Sequence, residues 1–231
     1  MANVDIWTAS LELEENAIQR LSVTLSRDER ERAARFAFPH LRTSFIAARG
    51  LLRTILSSYA GIPPQDLVFE YSAHGKPALE GRPDVSFNVS HSEQLVVCAL
   101  TRGCGIGIDI EKVRPMPDLE TIARHFFSLM EVESLKRLDP SDCTEAFFQC
   151  WTRKEALIKA TGEGLSCDLT SFTVSLGPHE PARLVWHRDG FGEAAEWELH
   201  SFSPAPGYVG AVALRAQGAT MRFHRMNHTA L

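Results

Sequence analysis

The sequence predicts an α+β fold, and two observations carry that prediction. Helical periodicities are followed by meandering strand patterns. In addition, a basic-apolar helix ending in Gly, a strand, and a strand pair finishing in "VVCAL" recur later as "RKEALIKATGEG", "SFTVSL" and a run finishing in "VGAVAL". This echo suggests two similar halves with "RGCGIGIDIE" near the join, although alone it does not establish a duplication.

Residues 26–60 are rich in Arg, Ala and Leu, open with a Ser cap and close before Gly61, which predicts two helices parted near Pro39. In the second of these, Arg42, Arg49 and Arg53 fall along one side, opposite a stripe of Leu51, Leu52, Ile55 and Leu56. The simplest reading of that side is a solvated basic face. "DLVFEYS" and the turn "AHGKPAL" precede "VSFNVSHSEQLVVCALT", whose alternation on both sides of Ser92-Glu93-Gln94 predicts a hairpin. "GIGIDIE" is a further strand. Helix is expected over 118–138 and through "SDCTEAFFQCWTRKEALIKATGEG", which ends at Gly162 and Gly164. Strands are expected at "SFTVSL", "ARLVWHR", "EWELHSF" and "GYVGAVAL".

The 231 residues, 44% hydrophobic and 23% charged, can build one large domain or two small ones. A net charge of −5 makes a nucleic-acid partner a poor expectation. No apolar run approaches the roughly 20 residues of a membrane span, and the N-terminus lacks a signal pattern, so a cytoplasmic protein is expected. Five cysteines without a C-x-x-C pair read as reduced thiols. His224 and His228 have helical spacing but lie in a polar tail, where a frayed terminus is expected in preference to a metal site.

The chemistry concentrates in "CGIGIDIEKVRP". Ile106, Ile108 and Ile110 alternate as in a half-buried strand, so Gly105, Gly107, Asp109 and Glu111 share the opposite face. Side chains two apart on a strand lie about 6.5 Å apart at Cα, close enough for both acids to meet one hard cation such as Mg²⁺. The glycines leave space for a ligand or for another backbone. A solvent-exposed strand face explains the same residues equally well. In the later helix, Glu155 falls in the sector of Phe147, Phe148, Trp151 and Ile158, and a carboxylate there needs a partner, as a third metal ligand or a general base. Lys159 is either an i, i+4 ion-pair partner of Glu155 or a phosphate clamp. Ser90 and His91 stand at a strand end, where an anion can be met.

Taken in order, "GKP", "FNVSHS", "GIGIDIE" and "FFQCWTRKEALIKATGEGL" resemble the 4′-phosphopantetheinyl transferases of the large, two-subdomain class typified by the activator of surfactin synthetase. The resemblance covers residues 30–176. It implies two similar α/β subdomains related by a pseudo-two-fold axis, residues 1–104 and 105–231, with the active site in the cleft between them. It further implies that Asp109, Glu111 and Glu155 hold Mg²⁺, or Mn²⁺ in its place. Lys159 and His91 would act on the phosphates of coenzyme A as co-substrate. Arg42, Arg49, His74, Gly75, Lys76, Ser90, His91 and Lys159 would contact the nucleotide.

The activity so implied is Mg²⁺-dependent transfer of the phosphopantetheine arm to a serine of an apo acyl or peptidyl carrier protein, releasing 3′,5′-ADP, by a monomer. Glu155 would accept the serine proton. The segment Arg124 to Lys136, basic residues around "FFSLM", would be either the carrier docking surface or a core-packed helix. Two rival readings are a metal-dependent phosphohydrolase and a non-catalytic coenzyme A-binding module.

Overall fold

The computed structural model describes residues 2–162, 164, 167–177, 180–188 and 191–226. It is a mixed α+β protein. The first half runs β1 (Asn3–Ser10), α1 (Glu15–Ser22), α2 (Arg27–Ala34), α3 (Pro39–Ala60), the short pair β2 (Phe69–Tyr71) and β3 (Pro77–Leu79), then β4 (Val85–Ser92) and β5 (Leu95–Arg102). The second half repeats that order: β6 (Ile106–Lys112), α4 (Leu119–Phe126), α5 (Leu129–Lys136), α6 (Pro140–Thr161), the pair β7 (Phe172–Val174) and β8 (Leu184–His187), then β9 (Trp197–Phe202) and β10 (Tyr208–Arg215). A last strand, β11 (Thr220–Arg225), has no counterpart.

The sheets carry the same repetition. One is ordered β11-β1-β5-β4 and the other β6-β10-β9, so β1-β5-β4 and β6-β10-β9 correspond. The difference is β11, which leaves the second half to pair in parallel with β1. Its position corrects the expectation of a frayed tail over the described residues: His224 bonds Asp5 at 2.6 Å and stacks on Trp7 at 4.5 Å. His228 lies outside the described residues.

The long helices are built alike. Each runs 22 residues with a proline in its first turn, and each ends at a glycine, Gly61 at φ 69° and Gly162 at φ 79°, where a side chain would be strained. Each is also pinned by a buried ion pair. Ser26 and Glu29 form the capping box of α2, and Glu29 is bonded by Arg49 and Arg53 of α3. Ser128 and Glu131 form the capping box of α5, and Glu131 receives Lys154 of α6 at 2.8 and 2.7 Å. Arg53 also donates to the carbonyls of Pro64 and Leu67, and Lys154 to that of Phe172. Arg53 lies over the Phe69 ring that begins β2, Lys154 over the Phe172 ring that begins β7.

Thus Arg53, 2% exposed, does not belong to a solvated basic face. Three acceptors and an aromatic ring meet its guanidinium, and only Arg42 of that row is exposed. Burial alone would raise the Glu29 carboxyl, but hydrogen bonds from Arg53 and Arg49 outweigh it and hold it below its ordinary value.

The two larger sheets pack face to face through Val4, Ile6, Val97, Ala99, Ile106, Ile108, Ile110, Val212 and Leu214. Hence the isoleucines of β6 belong to the core between the sheets, and their alternate residues turn toward α6. Among the described residues no helix is long and apolar enough to cross a membrane.

Candidate active site at the edge-to-edge seam

Gly107 of β6, and Gly105 just before the strand, face the backbone of α6. A Cβ on Gly107 would stand 2.0 Å from the Ala156 carbonyl oxygen and 2.4 Å from the Ala160 nitrogen, so α6 lies directly on the strand. Of the two readings of those bare positions, ligand or backbone, Gly107 answers to backbone. The close approach brings Glu155 and Lys159, on α6, beside the acids of β6.

β6 and β4 are each the edge of a sheet, and the edges meet without main-chain pairing. Side chains bridge them instead. The amides of Ile108, Ile110 and Lys112 donate to Asn88 Oδ1 at 2.9 Å, Ser90 Oγ at 3.4 Å and Ser92 Oγ at 3.1 Å. Alternate residues of β4 thereby satisfy alternate amides of β6, as the strand period requires.

Two rungs also hold the acids. Asp109, 5% exposed, accepts at Oδ1 from Ser90 Oγ and Lys159 Nζ, both at 2.7 Å. Glu111 Oε2 accepts from Ser92 Oγ at 2.8 Å and Arg114 at 3.3 Å. Asp109 Oδ2 is buried without a hydrogen-bond partner. Burial pushes the Asp109 carboxyl above its ordinary value, more strongly than Lys159 pulls it down. Glu155 is half-buried and also raised, first by burial and then by the charge of Asp109, with Glu111 adding to it.

This is a donor set suited to a hard divalent cation: three carboxylates that feel one another's charge, one with a buried oxygen unsatisfied. Among the described residues no three His, Cys, Asp or Glu side chains are already gathered closely enough to hold a metal ion. The Lys159 ammonium supplies positive charge at Asp109. Its partner is therefore Asp109 and not the i, i+4 Glu155 expected of a simple helix pair.

The remaining candidates divide. Ser90 lies within the cluster. His91, the next residue on β4, is exposed and faces the other way. Lys76 reaches the seam, but its ammonium donates to the carbonyls of Ile106 at 3.0 Å, Lys159 at 2.5 Å and Ala160 at 3.4 Å, tying the β2–β3 turn to the end of α6. Burial lowers its pKa to about 8. His74 is exposed in the same turn, where Gly75 takes φ 80°. Arg49 is engaged by Glu29 and the Tyr71 hydroxyl, and Arg42 is exposed at the start of α3.

A cleft of about 480 Å³ adjoins the seam, lined by Tyr71, Ser72, Lys76, Pro77, Arg82 and Gly162 among others. The segment from Arg124 to Lys136 also divides: Phe127 is 2% exposed and belongs to the core, whereas Phe126, Leu129 and Met130 are 42%, 85% and 58% exposed. Asn88 and Ser92 were missed in the sequence, although their alternation with Ser90 on one strand was a usable signal.

The chain matches the family model of the 4′-phosphopantetheinyl transferase superfamily over residues 105–213, and that described as 4′-phosphopantetheinyl transferase, N-terminal, over residues 7–102. It is similar to the 4′-phosphopantetheinyl transferase HetI of Nostoc sp., at 40% identity over 95% of this chain and 91% of that one. The 4′-phosphopantetheinyl transferase Sfp of Bacillus subtilis is 35% identical over 87% and 86% of the respective chains. A solved holo-[acyl-carrier-protein] synthase of Thermotoga maritima covers 48% of this chain and 62% of its own, at 23% identity and a TM-score of 0.39, too loose a likeness to bear on the argument. At 40% identity over nearly the whole of both chains, and with both halves matched, the chain belongs to the 4′-phosphopantetheinyl transferase superfamily.

Proposed function

We propose that the chain transfers the 4′-phosphopantetheine arm of coenzyme A to a serine hydroxyl of an apo carrier protein, at the seam between β4, β6 and α6. The observation that carries the proposal is the buried, unsatisfied Asp109 Oδ2, on an acid that feels the charge of Glu111 and is felt by Glu155, in a chain of this family. Asp109, Glu111 and Glu155 would hold Mg²⁺, which would neutralise charge on the pyrophosphate oxygens.

The serine Oγ forms a bond to the phosphorus that carries the pantetheine, the bond to the bridging oxygen breaks, and 3′,5′-ADP leaves with the electron pair. Glu155 accepts the serine proton, and its raised affinity for protons suits a base. Lys159, at the rim of the cluster, donates to the phosphates. Phosphoryl transfer rests on positioning and charge compensation, which needs no covalent nucleophile on the protein.

The adjoining cleft, of whose lining the candidates supply Lys76, receives the nucleotide, and Arg42, Arg49, His74, Gly75 and Ser90 are the candidate contacts outside that lining. Lys76 acts there through its backbone and methylenes as well, since its ammonium already meets three carbonyls. The carrier docks on the exposed apolar group Phe126, Leu129 and Met130, flanked by Arg124 and Lys136. One chain supplies both edges of the seam, so a monomer suffices, and the cytoplasm is the compartment proposed.

Incubation with coenzyme A, Mg²⁺ and a panel of apo carriers, read by intact mass, tests this. Addition of the arm to a carrier is expected. A folded, Mg²⁺-loaded protein that modifies none of them overturns the proposal, and hydrolysis of coenzyme A without an acceptor would favour the phosphohydrolase.

A further inference from the structure

Glu111 stands between two competing donors. Ser92, 8% exposed on β4, donates to Glu111 Oε2 from inside the seam at 2.8 Å. Arg114, with a side chain 46% exposed, reaches the same oxygen from outside at 3.3 Å. The Ser92 hydroxyl is itself fixed, because it accepts the Lys112 amide at 3.1 Å. Its proton is thus aimed across the seam, and the Glu111 carboxylate is drawn toward β4. Ser90 treats Asp109 in the same way, accepting the Ile110 amide while donating to Oδ1. Each hydroxyl ties one oxygen of its acid, which leaves Asp109 Oδ2 and the second oxygen of Glu111 available.

We propose that Ser92 is a positioning residue for the cation site: its hydroxyl holds Glu111 in the seam against the pull of Arg114, and the site's affinity for divalent cations depends on that hydroxyl. The proposal rests on the reading of Glu111 as a cation ligand. A carboxylate freed from Ser92 keeps Arg114 as its donor and turns toward solvent, where its charge is compensated without the cation. Partners of metal-ligating side chains commonly set affinity by about 10- to 100-fold when removed.

The test is titration of the purified full-length protein with Mn²⁺ alone, followed by electron paramagnetic resonance of the free ion, with neither coenzyme A nor carrier present. Ser92→Ala is expected to weaken Mn²⁺ binding at least about tenfold, and Ser92→Thr, which keeps the hydroxyl, to stay within about twofold of the parent. Adding Arg114→Ala to Ser92→Ala removes the competitor and is expected to recover part of the loss. Ser92→Val, isosteric with Thr, provides the hydroxyl-free comparison should the alanine variant fail to fold. If the parent binds Mn²⁺ and both hydroxyl-free variants bind it as tightly, the positioning role is overturned and the ligand reading stands. If Ser92→Thr is as weak as Ser92→Val, the hydroxyl is not the cause and the proposal again falls. A parent that binds no Mn²⁺ overturns the ligand reading and this inference together.

Discussion

Gly107→Ala is the substitution with the most directly calculable consequence. The added methyl carbon would lie 2.0 Å from a carbonyl oxygen of α6, where ordinary contact begins at 3.4 Å, so helix and strand must separate by about 1.4 Å. All three obstructing atoms, Ala156 O, Ala160 N and Lys159 C, belong to backbone, and no side chain can rotate out of the way. Overpacking of cores costs about 1–3 kcal/mol, and a clash with helix backbone belongs at about 3 kcal/mol. For a chain of this size that lowers the melting temperature by about 6–12 °C. Activity should fall further than stability suggests, because α6 carries Glu155 and Lys159, and a displacement of about 1 Å costs on the order of a hundredfold in rate. Calorimetric melting and carrier modification by intact mass measure the two effects. Gly105→Ala is the control, since its methyl meets only Ala160 O at 3.2 Å. A Gly107→Ala protein that melts within about 2 °C of the parent and keeps its activity would show that α6 does not bear on β6 as described.

Four further outcomes are expected. Glu155→Gln keeps coenzyme A binding, measured by calorimetry, while transfer collapses by about 100-fold or more; unimpaired transfer removes the base and ligand role. Lys154→Met strands Glu131, which is fully buried, and should cost about 3–5 kcal/mol in denaturant unfolding, partly restored by adding Glu131→Gln; a loss below about 1 kcal/mol refutes the pinning of α6. The folded chain releases the Lys76 proton near pH 8 and the unfolded chain near 10.5, so the unfolded state holds more protons between those values. Stability relative to Lys76→Met should therefore rise with pH across that window, and a pH-independent difference in melting temperature contradicts the lowered pKa. Leu129→Asp should raise the KM for carrier several-fold and leave coenzyme A binding unchanged; an unaltered carrier KM moves the docking surface elsewhere.

The elements with strong local periodicity were legible. β6 and α6 lie where alternation and helical spacing put them, and Gly61 and Gly162 end the long helices as glycines do. Four elements escaped. β1 and α1 lie in the N-terminal stretch where only the lack of a signal pattern was legible, β3 falls in the segment predicted as a turn, and β11 carries just Met221 and Phe223 on one face, its strand state depending on the free edge of β1. Buried charge was hidden for the same reason. Arg53 and Lys154 sit on helix faces that periodicity assigns by residue type, while the carboxylates that neutralise them belong to capping boxes more than twenty positions away. At the site the types of residue were readable and their distances were not. Asp109, Glu155 and Lys159 stood out as acids and a base on apolar elements, but that Lys159 answers Asp109, or that Lys76 is absorbed by carbonyls, depends on how β6 meets α6.

The strand β11 gives the chain a particular order of assembly. Until the ribosome has released residues 220–225, β1 is an uncovered edge, with Val4 and Ile6 on one face and unpaired amides along its side. The first half can collapse early on its own hairpin of β4 and β5, but its sheet is completed only once β11, beyond the whole of the second half, has been synthesised. A nascent chain truncated before β11 would expose a strand available to any neighbouring edge, so a stop codon near position 218 should yield aggregation in place of a merely weaker enzyme.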